Sequence, residues 1–263
     1  MTVDVALPRP TRFSIGRALG DSIRIFARNV IWLAPVACAT RAVVLLAPEP
    51  AEDGSTLAWS DLILDDMTDA LASGLADAAI ILVILQILRG HRASIGDMAA
   101  GFRFVVPMVV ATAIANLPWT AWAIIDQLWE TGNTLVSVVA RWLLIYAIAL
   151  TVYVHWALST QAIVIERIGP VAGLLRSVRL TKGRRWAIFG LTMIPLIIVM
   201  ALSVGAWALP NLIAVDQWLV DALNYLISAL STAYFAVQTT VLYYYLRREK
   251  EGVESGEIAH VFD

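Results

Sequence analysis

The positions of the lysine and arginine residues constrain this chain more than any other feature of its sequence. Six long hydrophobic segments alternate with short loops, and 17 of the 19 Lys and Arg residues lie in alternate loops or near the chain ends. The four basic clusters are 9–28, 89–103, 167–185 and 247–250. Cytoplasmic loops of membrane proteins are enriched in Lys and Arg. The alternation therefore predicts segments that cross a membrane, with both termini in the cytoplasm.

The composition supports the same class of fold. Hydrophobic residues make up 59% of the 263 residues and charged residues only 15%, which is too apolar for a water-soluble domain. A helix needs about 20 mainly apolar residues to cross a bilayer. The predicted spans are 29–47, 69–88, 103–125, 134–165, 186–209 and 219–246. We predict an all-α integral membrane bundle of six transmembrane helices, a single domain over residues 1–263 with a short cytoplasmic tail at 249–263.

Amphipathic stretches precede the first, third and fifth spans. They are 14–28, 94–102 and 169–182. The first and third place apolar side chains on one helical face and basic ones on the other, and 94–102 is a shorter, weaker version. This pattern predicts cytoplasmic interfacial helices that lie in the headgroup region. The alternative is that each stretch extends the span that follows it. A further stretch, 57–67, predicts a surface helix on the outer side.

The pattern of surface helix, outgoing span and returning span occurs three times. The three units are 14–89, 94–167 and 168–248, and each opens with an Ile-Gly pair near its start. Self-similarity at a fixed period is typical of one structural unit used repeatedly. We therefore predict three repeated helical hairpins.

Four polar residues lie towards the cytoplasmic halves of the predicted spans and are candidates for the bundle interior. They are Gln86, His155, Gln161 and Gln238. Amide side chains inside a membrane bundle often form hydrogen bonds between helices. The alternative for each glutamine is a local hydrogen bond near the wet boundary. For His155 we expect an interior hydrogen bond rather than a role in proton transfer.

Three charged residues fall within the outer parts of predicted spans. Arg41, Asp77 and Arg141 lie at similar predicted depths, and ionisable groups inside a membrane are costly and often functional. In one interpretation these residues are structural: the two arginines extend to the membrane boundary, and one of them neutralises the charge of Asp77. The other is an outer intramembrane polar cluster that binds a phosphate or carboxylate headgroup.

Catalytic and metal-binding patterns are absent from the sequence. The three histidines are scattered, and neither a Gly-x-Ser-x-Gly elbow nor a Gly-x-x-x-x-Gly-Lys phosphate loop occurs. No accessible basic stripe with interleaved aromatic residues suggests nucleic-acid binding. We predict no catalytic residues, no cofactor and no metal, and membrane lipids as the partners.

Two segments resemble a known bacterial membrane family. Residues 164–170 read Val-Ile-Glu-Arg-Ile-Gly-Pro and lead into a basic stretch up to 190, while residues 243–252 read Tyr-Tyr-Tyr-Leu-Arg-Arg-Glu-Lys-Glu-Gly. Both are similar to the membrane domain attached to glycerophosphoryl diester phosphodiesterases and to its stand-alone relatives. The resemblance implies a helical domain of the bacterial inner (plasma) membrane without defined catalytic residues. The phosphodiesterase chemistry belongs to a separate barrel domain, which we do not expect here.

The basic stretch within this resemblance suggests contacts with lipid phosphates. Its five cations are Arg176, Arg179, Lys182, Arg184 and Arg185, and they precede Trp186, which is suited to the membrane boundary. The alternative is a loop that serves topology alone.

The functional prediction is a non-enzymatic membrane protein that acts in lipid-related membrane organisation or in phospholipid translocation. A small-solute transporter or channel is the second hypothesis, and a continuous polar path would favour it. A membrane-embedded enzyme is the third and would need ionisable groups that converge on a cavity.

Overall fold

The apolar segments fold as helices, which satisfy every backbone amide within the segment. The computed structural model describes residues 14–42, 59–88, 96, 101–128, 135–213 and 215–252. Its helices are α1 (Ile15–Arg41), α2 (Trp59–Leu88), α3 (Val105–Leu128), α4 (Leu135–Trp156), α5 (Ser159–Glu166), α6 (Pro170–Thr181), α7 (Arg185–Leu212) and α8 (Gln217–Glu251), with a 3₁₀ turn at Gly101–Phe104. No strand occurs in these ranges, and the all-α prediction is confirmed.

Several helices are suited to a bilayer. Five segments of the described chain are long and apolar enough to cross a membrane: Ile15–Arg41, Ala70–Ile87, Leu143–Glu166, Arg185–Pro210 and Gln217–Glu251. Val105–Leu117 is a shorter apolar helix. The outer surface of α7 is apolar, with Ile197, Val204 and Trp207 each more than half exposed. Such a surface is unfavourable in water and matches hydrocarbon. The protein is therefore a helical membrane protein.

The first and last helices pack against each other in the antiparallel sense. At one end, the hydroxyl of Tyr225 on α8 donates to the carbonyl of Cys38 on α1. At the other end, the hydroxyl of Tyr245 donates to the carboxylate of Asp21. We call this second end of the bundle the basic end, because the cations of 247–250 lie there. The start of α1 and the end of α8 thus lie at the same end.

The central helix of the bundle is α2. Its residues 80–85 are buried on every side, as expected for a helix that is apolar all round. It contacts α1, α3 and α8. Because α2 fills the interior, α4 and α7 remain at the periphery and expose more apolar surface.

The segment predicted as one span over 134–165 is divided into two helices. The helices α4 and α5 are separated at residues 157–158, and a side chain of α6 satisfies the backbone there. The amide of Leu158 donates to Ser177 Oγ (3.1 Å), and Ser177 Oγ donates to the carbonyl of His155 (2.8 Å). Non-helical backbone is tolerated within a membrane protein where other protein groups complete its hydrogen bonds.

Two predicted surface helices are not separate elements, and these predictions are wrong. Residues 14–28 continue directly into the rest of α1, and the described part of 57–67 continues into the rest of α2. No Gly or Pro lies between residues 21 and 34, and the side chain of Asn29 donates to the carbonyl of Ile25 within the helix. The first stretch is thus an extension of its span.

The third amphipathic stretch does form its own helix. Pro170 stands at the start of α6, where a missing amide hydrogen has no cost. The helix ends at Thr181, and Gly183 (φ +84°) allows the turn into α7. The stretch 94–102 lies largely outside the described residues. Because no second separate surface helix is described, the threefold repeat stays a prediction.

Candidate functional site

A cavity lies between α3, α4 and α7. Its volume is about 590 Å³, and its lining includes Ala115, Asn116, Ala149, Val152, Ile197 and Met200. Most of its lining side chains are apolar. Because Ile197 and Met200 are more than half exposed, the cavity opens on the outer surface of the bundle. We call it the apolar cavity.

A second, smaller cavity lies between α2, α4, α7 and α8. Its volume is about 310 Å³, and its polar lining consists of Ser73, Asp77, Tyr153, Thr192 and Thr232. Leu150, Tyr153, Met193 and Leu196 line both cavities. We call the smaller one the polar cavity. The two therefore share a wall and together form a site with an apolar part and a polar part.

Hydroxyl groups from neighbouring helices surround the carboxyl group of Asp77. The side chain of Thr160, on α5, is hydrogen-bonded to Asp77. The hydroxyl of Tyr153 is hydrogen-bonded to the side chain of Thr192 and lies close enough to Asp77 to interact with its charge. The break between α4 and α5 shapes this arrangement, because it turns α5 towards α2 and α8.

The predicted cluster of Arg41, Asp77 and Arg141 is only partly described. Arg41 ends α1 and lies beside Tyr225. Asp77 is level with Tyr153, which lies twelve residues beyond Arg141 on α4, a distance of about 18 Å along a helix. Only the backbone of Arg141 is described. The described neighbours of Asp77 thus lie on α4, α5 and α7. That Arg41, Asp77 and Arg141 form one cluster stays a prediction.

The predicted interior polar residues take up different partners. Gln161 donates to the hydroxyl of Thr239 on α8 (2.6 Å), and Gln238 donates to the carbonyl of Leu191 on α7 (2.8 Å). These are hydrogen bonds between helices. His155 is half-buried, and its Nδ1 lies 2.6 Å from the carbonyl of Thr151 within α4. Gln86 is half-buried near the end of α2. The glutamines Gln161 and Gln238 therefore tie α8 to two neighbours rather than to each other.

A network of ionic hydrogen bonds occupies the basic end. Arg176 on α6 binds Glu166 on α5 through Nε (2.8 and 3.0 Å) and Nη2 (2.8 Å). The same Nη2 lies 2.5 Å from Glu251 on α8, and Arg247 also binds Glu251 (3.1 Å). Tyr243 donates to Glu166 (2.5 Å). We call these five residues the Glu166 network, and they join α5, α6 and α8.

The network changes the interpretation of the predicted phosphate contacts. Burial disfavours the charged form of Arg176, but the hydrogen bonds and charges of Glu166 and Glu251 outweigh it and raise the pKa of the guanidinium. Arg184 is paired with Glu249. Both cations already have carboxylate partners and are therefore less suited to a lipid phosphate.

The other predicted phosphate contacts lie around the end of α6. Arg179 and Lys182 are exposed and Arg185 is half-buried. Lys250 lies against them, since its Nζ donates to the carbonyls of Arg179 (2.9 Å) and Lys182 (2.7 Å). The neighbouring Trp186 is 85% exposed. The cations and the exposed indole ring of Trp186 therefore lie together near the end of α6.

Sequence reasoning missed several of these residues. Thr160, Tyr153 and Thr192 carry no signal as neighbours of Asp77, because their proximity depends on how four helices pack. Glu166 offered a weak signal, as a carboxylate directly before the basic cluster. In the described ranges, no group of three or more His, Cys, Asp or Glu residues could hold a metal ion.

Comparison with known proteins gives one match. A family model described as Domain of unknown function (DUF7847) matches residues 13–246, which is most of the chain and includes every residue named above as lining the two cavities. No curated protein and no solved structure shows significant similarity to the chain.

Proposed function

The chain belongs to the family of the domain of unknown function DUF7847, and on that premise we propose that it is a non-enzymatic integral membrane protein that binds a lipid-like molecule. We propose that this binding serves membrane organisation or phospholipid translocation. The two adjoining cavities carry the proposal. Their volumes fall in the range of small-molecule sites.

The arrangement of the two cavities suits an amphipathic ligand. The apolar cavity opens at the surface that faces hydrocarbon, so an acyl chain can enter it from the bilayer. The polar cavity begins at the shared wall of Leu150, Tyr153, Met193 and Leu196. A headgroup would then reach hydroxyls and one carboxyl group without leaving the bundle.

The alternative functions fit these cavities less well. A small-solute transporter or channel needs a continuous polar path, whereas the described lining of the apolar cavity is mainly hydrocarbon. A membrane-embedded enzyme needs several ionisable groups around one cavity. In the polar cavity, Asp77 is the one carboxyl group among the described lining residues.

The proposal includes a six-span topology in the bacterial inner membrane with both termini cytoplasmic. The start of α1 and the end of α8 share the basic end, which requires an even number of crossings between them. Five segments meet the length and hydropathy of a span, and α3 supplies the sixth. The excess of Lys and Arg at the basic end supports a cytoplasmic position for it.

We also propose kinship with the membrane domains attached to glycerophosphoryl diester phosphodiesterases, supported by the residues quoted above for 164–190 and 243–252. In this proposal, Arg179, Lys182 and Arg185 contact lipid phosphates beside Trp186. Each such cation contributes about 1 kcal/mol near an anionic membrane surface.

The test of the proposed function is native mass spectrometry of the gently extracted protein. Ala149→Trp fills the apolar cavity, and we expect it to remove the retained lipid seen with the unmodified chain. The matched control is Ala147→Trp, because Ala147 is exposed on the same helix. Retention of lipid by both variants, or by neither, would contradict a ligand in this cavity.

A further inference from the structure

The polar cavity places one carboxyl group beside walls that are mainly hydrocarbon. Asp77 is among its lining residues together with Ser73, Thr192 and Thr232, which carry hydroxyl groups. The rings of Tyr153 and Phe235 also line the cavity. Aromatic faces attract ammonium groups, and the attraction grows when water is excluded. No Lys, Arg or His is among the described residues that line this cavity.

Among the residues that the structure describes, the hydrogen bonds to Asp77 leave acceptor capacity unused. A carboxylate has about four lone-pair sites, and its side-chain hydrogen bond comes from Thr160. Thr160 Oγ1 also lies 3.1 Å from Oε1 of Gln161, to which it can donate. One hydroxyl proton cannot serve both acceptors at once. A ligand with several donors and a positive charge would complete the hydrogen bonding of Asp77.

The neighbouring cavity determines what kind of cation fits. A free inorganic cation would leave the apolar cavity unused, whereas an amine that carries an acyl chain fills both parts. The shared wall places Tyr153 at the junction between them. The occupant that matches both the charge and the shape is therefore an amphipathic ammonium compound.

We infer that the polar cavity binds the ammonium group of an amine-bearing lipid, with Asp77 as its counter-charge and Tyr153 and Phe235 beside it. This inference rests on the proposed function, because it names the headgroup class of the same site. An ammonium group donates to Asp77 and to the hydroxyl oxygens of Thr192 and Thr232. An acyl chain of the same molecule lies along Ala149 and Ile197.

The experiment compares three lipids with identical acyl chains: phosphatidylethanolamine, its N-acetylated form and phosphatidylglycerol. The full-length chain is equilibrated with an equal mixture in detergent, and bound lipid is counted by native mass spectrometry. N-acetylation removes the positive charge and keeps the phosphate. We expect phosphatidylethanolamine to be retained about tenfold over both other lipids, which corresponds to about 1.4 kcal/mol.

Variants connect this preference to the cavity. We expect Asp77→Asn to bring the ratio close to one while the total amount of bound lipid is kept. Asp221→Asn is the matched control, because Asp221 is an exposed carboxylate on α8, and it should leave the preference unchanged. If Asp77→Asn does not fold, the comparison of the three lipids on the unmodified chain decides alone.

The outcomes separate this inference from the proposed function. Equal retention of all three lipids by the unmodified chain, with loss of all of them in Ala149→Trp, overturns the inference and supports the lipid site. An unchanged preference in folded Asp77→Asn also overturns it. Retention unaffected by Ala149→Trp overturns both. Half-displacement of the bound lipid by free ethanolamine at a concentration equal to that of the lipid overturns the amphipathic ligand, because the acyl chain would then contribute nothing to the affinity.

Discussion

At the scale of single residues, the hydroxyl of Ser177 has the most demanding position in the fold. It accepts from the amide of Leu158 and donates to the carbonyl of His155, and it is buried. One side chain thus satisfies two of the backbone groups at the break between α4 and α5, and Ser159 Oγ donates to a third, the carbonyl of Trp156. The position of α5, and with it Thr160 beside Asp77, depends on this serine.

We expect Ser177→Ala to lower the free energy of unfolding by about 1–3 kcal/mol, because it leaves a buried amide and a carbonyl without partners. Ser231→Ala is the control, since Ser231 donates only to the carbonyl of Ser228 in its own helix, and its effect should stay within about 0.5 kcal/mol. Denaturant titration in detergent, followed by tryptophan fluorescence, measures both. Equal effects of the two changes would show that Ser177 does not stabilise the break.

Among the secondary-structure elements, α5 and α6 approach each other closely at Gly173. A Cβ atom at Gly173 would lie 2.5 Å from Cγ1 of Ile163 and 3.2 Å from the carbonyl oxygen of Ser159. Glycine is required there because the two helices have no room for a side chain. The Glu166 network depends on the same closeness, since it joins Glu166 of α5 to Arg176 of α6.

We expect Gly173→Ala to destabilise the protein by about 1–3 kcal/mol through overpacking. Gly190→Ala on α7 is the matched control, because no atom lies within 4 Å of its added Cβ. Alanine is the better helix former, so this control should be neutral or stabilising by up to about 1 kcal/mol. A shift of the midpoint temperature in the same direction for both variants would contradict a tight contact at Gly173.

The elements themselves were largely predictable, and their ends were not. Hydropathy over about 20 residues indicated where long helices occur, because each span is governed by its own composition. The break at 157–158 lies within a segment whose length and mean hydropathy suit a single span, and it depends on Ser177, which is 19 residues beyond Leu158. Amphipathic spacing in 14–28 fits both an interfacial helix and an extension of α1, so periodicity could not distinguish them.

The candidate site, too, was predictable from the sequence only in part. Asp77 was recognisable because a carboxyl group in an apolar helix is rare. Its neighbours Tyr153, Thr160 and Thr192 come from three other helices, and their positions follow from packing. Arg176 was predicted to contact lipid phosphates, and its partners Glu166 and Glu251 are 10 and 75 residues away in sequence.

At the scale of the whole molecule, the topology depends on one property: α1 begins and α8 ends at the basic end. We expect single cysteines at Gly16 and Gly252, in a Cys38→Ala background, to react with an impermeant maleimide only from the cytoplasmic side. Both positions are exposed in the structure. Labelling of inverted and right-side-out vesicles measures this. Opposite labelling of the two positions would exclude the six-span topology, and labelling of both from the outside would reverse its orientation.

The antiparallel contact of α1 with α8 has a consequence for biosynthesis. Helix α1 leaves the ribosome before α8, the helix against which it packs most extensively. Glu251 and Lys250, in the final turn of α8, bind groups on α6 and the turn that follows it. A nascent chain therefore inserts its earlier helices without all of their permanent neighbours. Until translation passes residue 251, Asp21 lacks the hydroxyl of Tyr245 and Arg176 lacks Glu251, so each keeps only its partner from the earlier helices. A chain interrupted before that point exposes polar groups with incomplete hydrogen bonding, by which membrane quality control can recognise it.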